Sequence, residues 1–223
     1  TNVIVGENAA GKTTILEAID VLSRGRSFRT NKIENLLNNG EGSLYVGATV
    51  GEKKRKLEIE KEKGKTRILI DDKEEKKQSV IAEELAVQSI HPNSHNIIEG
   101  TPSERRAFLD WGLFHVEQDF KRAWSKYTKI LKQRNEALKL RDQSEATWLK
   151  KLAPAGELIS SMREGYLKGL QQHLEEAGRY IMPNLELTFS YEKGWDDKKT
   201  LSDALNDKKQ LDADKGFTSV GPQ

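Results

Sequence analysis

The residues with the clearest chemical purpose stand near the start of the sequence. Gly6-Glu7-Asn8-Ala9-Ala10-Gly11-Lys12-Thr13 fits G-x-x-x-x-G-K-[ST], a spacing that cradles phosphate. Gly6 and Gly11 let the backbone turn tightly, so that successive N–H groups converge on an anion. Lys12 supplies a mobile point charge for terminal phosphates, and the Thr13 hydroxyl is suited to ligate Mg2+. A helix beginning near Thr13 would add the positive end of its dipole. The candidate nucleotide-binding set is therefore Gly6, Glu7, Asn8, Ala9, Ala10, Gly11, Lys12, Thr13 and Thr14.

Such a loop works only between a strand and a helix. Residues 2–5 are a short apolar run with β-branched members, which predicts a buried strand. From Thr13 to Ser23 the apolar residues Ile15, Leu16, Ile19 and Leu22 recur at helical spacing, and Gly25 stands where a C-cap belongs. Residues 43–72 switch to a period of two, in Leu44/Val46/Ala48/Val50, Leu57/Ile59 and Ile68/Ile70, with Gly51 and Gly64 between them. That pattern predicts an antiparallel meander with one wet face. Eleven basic and eight acidic side chains between Glu52 and Lys77 fit solvated hairpins whose charges discourage edge pairing.

Two long amphipathic helices are expected at 116–141 and 147–182, joined by a short polar link into an antiparallel pair. Pro154 is expected near the true start of the second, because an interior proline costs about 3 kcal/mol. Beyond Pro183, Leu185, Leu187, Phe189 and Tyr191 alternate as one more strand, and residues 200–211 suggest a short helix.

The 223 residues suffice for one sizeable domain, or a core domain with an appendage. The absence of cysteine excludes disulfides, thiolate zinc sites and cysteine nucleophiles together. His91 and His95 are four apart, but Pro92 between them argues against a helical metal pair. No apolar run approaches the ~20 residues of a membrane span, so no membrane partner and a cytoplasmic protein are expected. Beginning Thr1-Asn2-Val3 without an initiator methionine, the chain reads as a piece of a longer one.

Because 37 basic residues nearly balance 35 acidic ones, attraction for nucleic acid must come from local patches. Between Lys121 and Arg141 there are eight basic residues and one acid. Arg122, Lys126, Lys129 and Lys132 recur at helical spacing opposite Phe120, Tyr127 and Leu131, so one face packs while the other could track phosphates. An ordinary solvated helix face explains the same pattern. Arg26 and Arg29 are a second candidate DNA site. Trp111, Trp124 and Trp148 lie in or near apolar patches and read as core rather than as stacking platforms for bases.

Asn31-Lys32-Ile33-Glu34 lacks the Asp of a guanine-specificity motif, and no arginine-rich lid of a small-molecule kinase is visible. The loop followed by Ile15-Leu16-Glu17-Ala18-Ile19 and Gly25-Arg26-Ser27-Phe28-Arg29-Thr30 resembles the RecF family of bacterial recombination and repair ATPases. So do the stretch from Gly100-Thr101-Pro102 through Leu109-Asp110-Trp111-Gly112, then Phe114-His115, Leu131-Lys132-Gln133-Arg134-Asn135, and Gly216-Phe217-Thr218 with Gly221-Pro222.

This resemblance implies an α/β fold: a P-loop NTPase with an ABC/SMC-like head, an antiparallel β meander and an inserted helical-hairpin arm. The implied partition is an ATPase lobe at 1–110, an arm at 111–182 and a return to the lobe at 183–223. Also implied are ATP with Mg2+, an ATP-dependent homodimer, binding to double-stranded DNA and gap junctions, and RecR and RecO as partners in loading recombinase. Gln88, in a segment similar to a Q-loop, joins Thr13 as a candidate metal-sensing residue.

Two departures follow. Ala9-Ala10 replace the family's Gly-Ser, at a cost of about 1 kcal/mol if position 9 has positive φ, and Gln223 replaces a histidine. The family's signature and Walker B motifs are not recognised, which predicts slow hydrolysis in the intact protein and weak nucleotide binding by this piece. Leu22-Ser23-Arg24-Gly25-Arg26 mimics a signature motif but reads better as a helix end, and Ile68-Leu69-Ile70-Asp71-Asp72 mimics Walker B but reads better as a hairpin end. The remaining alternatives are a P-loop small-molecule phosphotransferase and a non-catalytic interaction module.

Overall fold

The computed structural model describes residues 1–30, 32–37 and 40–222. The contrasts drawn from Asn31 and Gln223 lie outside the described residues. The chain divides into two compact units, Thr1–Ser94 and His95–Gln223. This division is geometric, whereas the three-part partition implied by the family resemblance is functional.

In the first unit the phosphate-loop sequence leads into helix α1, Lys12–Arg24. Gly25 ends it in the left-handed region at φ 69°, donating its N–H to the Val21 carbonyl. The signature-like Leu22–Arg26 stretch is thus a helix C-cap, formed where only glycine adopts that conformation without strain. Four antiparallel strands follow in sequence order: β1 Ser43–Val50, β2 Arg55–Glu62, β3 Lys65–Ile70 and β4 Lys73–Glu75. Val46 pairs with Ile59 and Ile59 with Ile68, so the alternating apolar residues share one face. Leu57, Ile59, Ile68 and Ile70 bury that face with Val21 and Leu22 of α1 and Ile81 of the short helix α2, Ser79–Glu84.

The Walker-B-like run ends in the β3–β4 hairpin, where Asp71 and Asp72 have φ of 50° and 64° and form the turn. Aspartate tolerates that region better than most residues. Its role here is a turn.

Residues 2–5 do not form the expected strand. Val3 and Val5 are largely exposed, and among the described residues no strand pairs with this segment. A strand exists only through hydrogen bonds to a neighbour, so β-branched residues alone do not make one. The apolar stripe of α1 is also only half used. Val21 and Leu22 are buried, while Ile15, Leu16 and Ile19 remain exposed.

The second unit is helical. After a short turn of helix α3, Asn96–Glu99, come α4 Pro102–Val116, α5 Phe120–Leu140, α6 Glu145–Ile181, α7 Leu201–Asp207 and α8 Lys209–Lys215. α5 and α6 are the expected antiparallel pair. Val116, expected to open the first of them, instead closes α4, whose start is fixed by Pro102 and by Glu104 accepting the Thr101 N–H at 2.6 Å. Phe120, Tyr127 and Ile130 of α5 pack on Leu149, Leu152 and Ile159 of α6, with Leu113, Leu201 and Leu205 closing the core. Trp124, Trp148 and Trp195 pack against the same core.

Pro154 lies inside α6, not at its start. Proline and Lys150, whose carbonyl loses its intrahelical donor, are both on the exposed side, where water satisfies the carbonyl. Residues 185–191 are irregular rather than a strand. Leu187, Phe189 and Tyr191 are half-buried and the intervening residues exposed. Alternation here reflects packing without a strand partner, and a side chain at Gly178 would meet Leu187 Cδ1 at 2.7 Å.

Candidate nucleotide and nucleic-acid sites

The phosphate loop sits at the N-terminal end of α1. Ala9 and Gly11 both have positive φ, 66° and 86°, which turns the peptide planes of the loop inward. Gly11 has open space where a Cβ would stand, so its strain-free use of this conformation is the reason for glycine there. Ala9 lacks that freedom. The Ala10 N–H donates to the Glu7 carbonyl at 3.2 Å, and Ile15 N–H to the Gly11 carbonyl at 3.3 Å.

The Lys12 ammonium folds back over this turn and donates to the Gly6 and Glu7 carbonyls at 2.8 and 2.6 Å. The loop is therefore wrapped around one positive charge. Thr13 and Thr14 follow in the first turn of α1, both exposed. A convergent turn, an ammonium at its centre and a helix start suit a polyphosphate, and a hydroxyl beside them suits Mg2+. Gln88 is exposed and its side-chain amide donates to the Ser89 carbonyl at 3.4 Å.

The far end of α1 is secured by polar ties. Gln78 donates to the Leu22 and Ser23 carbonyls at 3.0 and 3.1 Å, Ser23 Oγ to the Leu85 carbonyl at 2.6 Å, and Ser89 Oγ to the buried Asp20 carboxylate at 2.9 Å. Lys61 donates to the Gly25 carbonyl at 2.8 Å, and partial burial lowers its pKa. The helix that carries the loop is thus gripped along its C-terminal half.

In the helical unit, Arg122, Lys126, Lys129 and Lys132 are all exposed on α5, opposite the buried Phe120, Tyr127, Ile130 and Arg134. Arg122 lies 3.7 Å from Asp119. Arg26 and Arg29 belong to the first unit, in the segment after α1, and both are exposed. The His91 ring stacks on Phe28 with centroids 5.0 Å apart. Among the described residues no cluster of three or more histidine or acidic side chains is placed to hold a metal. No helix of the described chain is long and apolar enough to cross a membrane.

Two buried arginines lie outside the expected site set. Arg134 is fully shielded and donates to Glu145 Oε1 at 2.9 Å, Asp212 Oδ2 at 2.8 Å and Thr218 Oγ1 at 2.7 Å. Arg163 grips both oxygens of Asp110 at 2.7 and 2.8 Å, donates to the Pro222 carbonyl and lies over the Trp124 ring. Both stand on the apolar stripes of their helices, at 127/130/134/138 and 152/159/163. A charge in a buried stripe was the available signal.

Residues 1–158 match the family described as AAA ATPase domain. The chain belongs to that ATPase family. Along its whole length it is 36% identical to the DNA replication and repair protein RecF of Pseudomonas paraeruginosa and 34% identical to that of Actinobacillus pleuropneumoniae, covering 62% and 63% of those proteins.

A solved structure of the recombination mediator protein RecF-ATP in the RecFOR pathway superposes with a TM-score of 0.84 at 26% identity, over 99% of this chain and 64% of that one. A second solved RecF structure, named as an ATPrS complex, gives 0.81 at 27% identity, over 97% and 63%. The α/β ATPase fold with its antiparallel strands and helical portion agrees with the expected class, and the resemblance to RecF extends along the entire chain. The chain spans somewhat under two thirds of the relatives it matches.

The sequence blocks that carry the resemblance are joined by contacts within this chain. Asp110 of the Leu109-Asp110-Trp111-Gly112 block binds Arg163, and Gly112 leaves room for Tyr166, whose hydroxyl would lie 2.0 Å from an added Cβ. Asn135 accepts from both the N–H and the hydroxyl of Thr218, at 2.9 and 2.7 Å, which joins the Arg134-Asn135 block to the Gly216-Phe217-Thr218 block. Separate motifs meet in space.

Proposed function

We propose that the protein binds ATP at Gly6–Thr14 and acts as an ATP-gated DNA-binding clamp in recombinational repair and replication, of the RecF kind. The observation that carries this reading is the phosphate loop turned around the Lys12 ammonium at the head of α1. The likeness to RecF proteins along the entire chain supports the rest.

In this reading the loop amides and Lys12 hold the phosphates, Thr13 ligates Mg2+, and Gln88 senses the occupied site. Mg2+ supplies charge neutralisation to the phosphate oxygens when bound. The chain's own contribution is orientation: a turn already tied by the Ala10 N–H to the Glu7 carbonyl and by Lys12 to the Gly6 and Glu7 carbonyls loses little freedom when an anion arrives there.

The functional partition is an ATPase lobe at 1–110, an arm at 111–182 and a return to the lobe at 183–223. The arm's Arg122, Lys126, Lys129 and Lys132 track phosphates of duplex DNA, with Arg26 and Arg29 as a second contact. ATP joins two copies of the protein, and RecR and RecO are its partners at single-strand gaps, where recombinase is loaded. Hydrolysis is slow and releases the clamp.

Light scattering of the intact protein with and without Mg-ATP tests the proposal. The expected result is a doubling of mass with nucleotide that disappears in Lys12→Ala. An unchanged mass in wild type would remove the clamp reading.

A further inference from the structure

The segment after α1 does not leave the helix. It folds back along it. Ser27, 4% exposed, donates its hydroxyl to Glu17 Oε1, and Arg29 approaches Glu17 Oε2 at 3.7 Å. The same Ser27 oxygen accepts the Arg29 N–H at 2.9 Å, so one hydroxyl both holds the carboxylate and shapes the turn. The Glu17 side chain is 14% exposed, whereas that of Arg29 is 62% exposed.

The next residue is held as well. Thr30 Oγ1 accepts from Lys32 N–H and from the Asn35 amide, each at 3.1 Å, and Phe28 between the two arginines stacks on His91. The outcome is a loop whose anchors, Ser27 and Phe28, point inward while Arg26 and Arg29 point out. Glu17 lies four residues beyond Thr13 on α1, one helical turn from the phosphate loop.

We propose that Glu17 and Ser27 form a latch that positions Arg26 and Arg29 as a preorganised phosphate-binding loop for DNA on the helix that carries Lys12. This deepens, and rests on, the assignment of those two arginines to DNA made above. Glu17 and Ser27 are positioning residues and touch no phosphate themselves. The latch confers affinity by holding in advance the backbone that carries the two arginines, so that less freedom is lost on binding.

The test is a mutant cycle on the intact protein with a gapped duplex as the probe, read as affinity over a range of salt. Arg26→Ala with Arg29→Ala is expected to weaken binding and to lower the steepness of log K against log salt by about 2, near 0.9 per lost phosphate contact. Ser27→Ala is expected to weaken DNA binding about tenfold, the worth of one well-placed buried hydrogen bond, and to lower the slope in the same direction. It should leave ATP affinity unchanged. In the background lacking both arginines, Ser27→Ala should have no further effect on DNA, because it acts only through them.

If removing both arginines leaves affinity and slope unchanged, their assignment to DNA fails and the latch fails with it. If the arginines matter but Ser27→Ala has no effect, or has the same effect in their absence, the assignment stands and the latch is overturned. Glu17→Gln keeps the acceptor oxygen and removes the charge, and it carries the same cycle should Ser27→Ala not fold.

Discussion

The Arg134 guanidinium of α5 and the Asp212 carboxylate of α8 meet at 2.8 Å with both side chains fully shielded from solvent. Glu145, at the start of α6, shares the same guanidinium at 2.9 Å, and Ser219 donates twice to the other oxygen of Asp212, at 2.9 and 2.6 Å. One arginine thus ties together three helices and the segment that follows α8. Desolvating these charges is costly, and the arrangement holds only because every partner is present. Its effect is to fix where α8 and residues 216–219 lie against the helical pair.

Arg134→Met should therefore destabilise the helical unit by about 3–5 kcal/mol, since Asp212 would be left buried without a counter-charge and Glu145 with only Lys209 at 3.9 Å. Lysine should not rescue it, because an ammonium cannot reproduce the guanidinium's several fixed donors. Denaturant unfolding followed by circular dichroism measures the loss. A change below about 1 kcal/mol, the scale of an exposed ion pair, would mean that the network does not hold the unit together.

The helices, the meander and the phosphate loop were legible in the sequence because each carries its own local signal. Gly25 marks the end of α1, Gly51 and Gly64 mark hairpins, and Leu57/Ile59 and Ile68/Ile70 show period two. Residues 2–5 and 185–191 depart from the expected strands for one physical reason. Apolar alternation records which side chains pack, not whether a backbone finds hydrogen-bonding partners. Pro154 lies within α6 and not at its expected start because the penalty of an interior proline falls when the freed carbonyl faces water. The G-x-x-x-x-G-K-T spacing and the helix after it are visible in the sequence itself, but the inward ties of Glu17, Ser27, Arg134 and Arg163 join positions 10 to 84 residues apart, beyond the reach of local periodicity.

Ala9 holds φ at 66° in the phosphate loop. A non-glycine residue in this region bears a cost of about 1 kcal/mol, and glycine offsets part of that gain by the freedom it brings to the unfolded chain. Ala9→Gly should consequently raise stability by about 0.5 kcal/mol, and Ala9→Val should lower it by more than that. Thermal melts of the three proteins give the order. Equal or reversed stabilities for glycine and valine would show that position 9 is not strained.

On the outer face of the sheet, the Tyr45 hydroxyl donates to the Glu58 carboxylate and Lys56 lies 3.1 Å from it. The first of these, and then the lysine, hold Glu58 below its usual carboxylate range. Asp71 is lowered too, by the Lys56 N–H at 2.9 Å and by Arg55. A depressed acid adds stability that is fully present above its ordinary pKa of about 4 and is lost as pH falls through its lower folded value. Acid should thus weaken the sheet below about pH 4 and not above it. Carboxyl NMR titration should place both midpoints low, and Glu58→Gln should flatten the acid limb of stability. An ordinary Glu58 midpoint would remove this contribution.

The account depends most on the turn around Lys12 receiving a nucleotide. Isothermal calorimetry of the intact protein with Mg-ATP measures this directly. The prediction is saturable binding at one site per chain, weakened about 10- to 100-fold in Lys12→Ala through loss of one charge-assisted contact. Wild type giving no saturable heat, or Lys12→Ala binding as tightly as wild type, would contradict it.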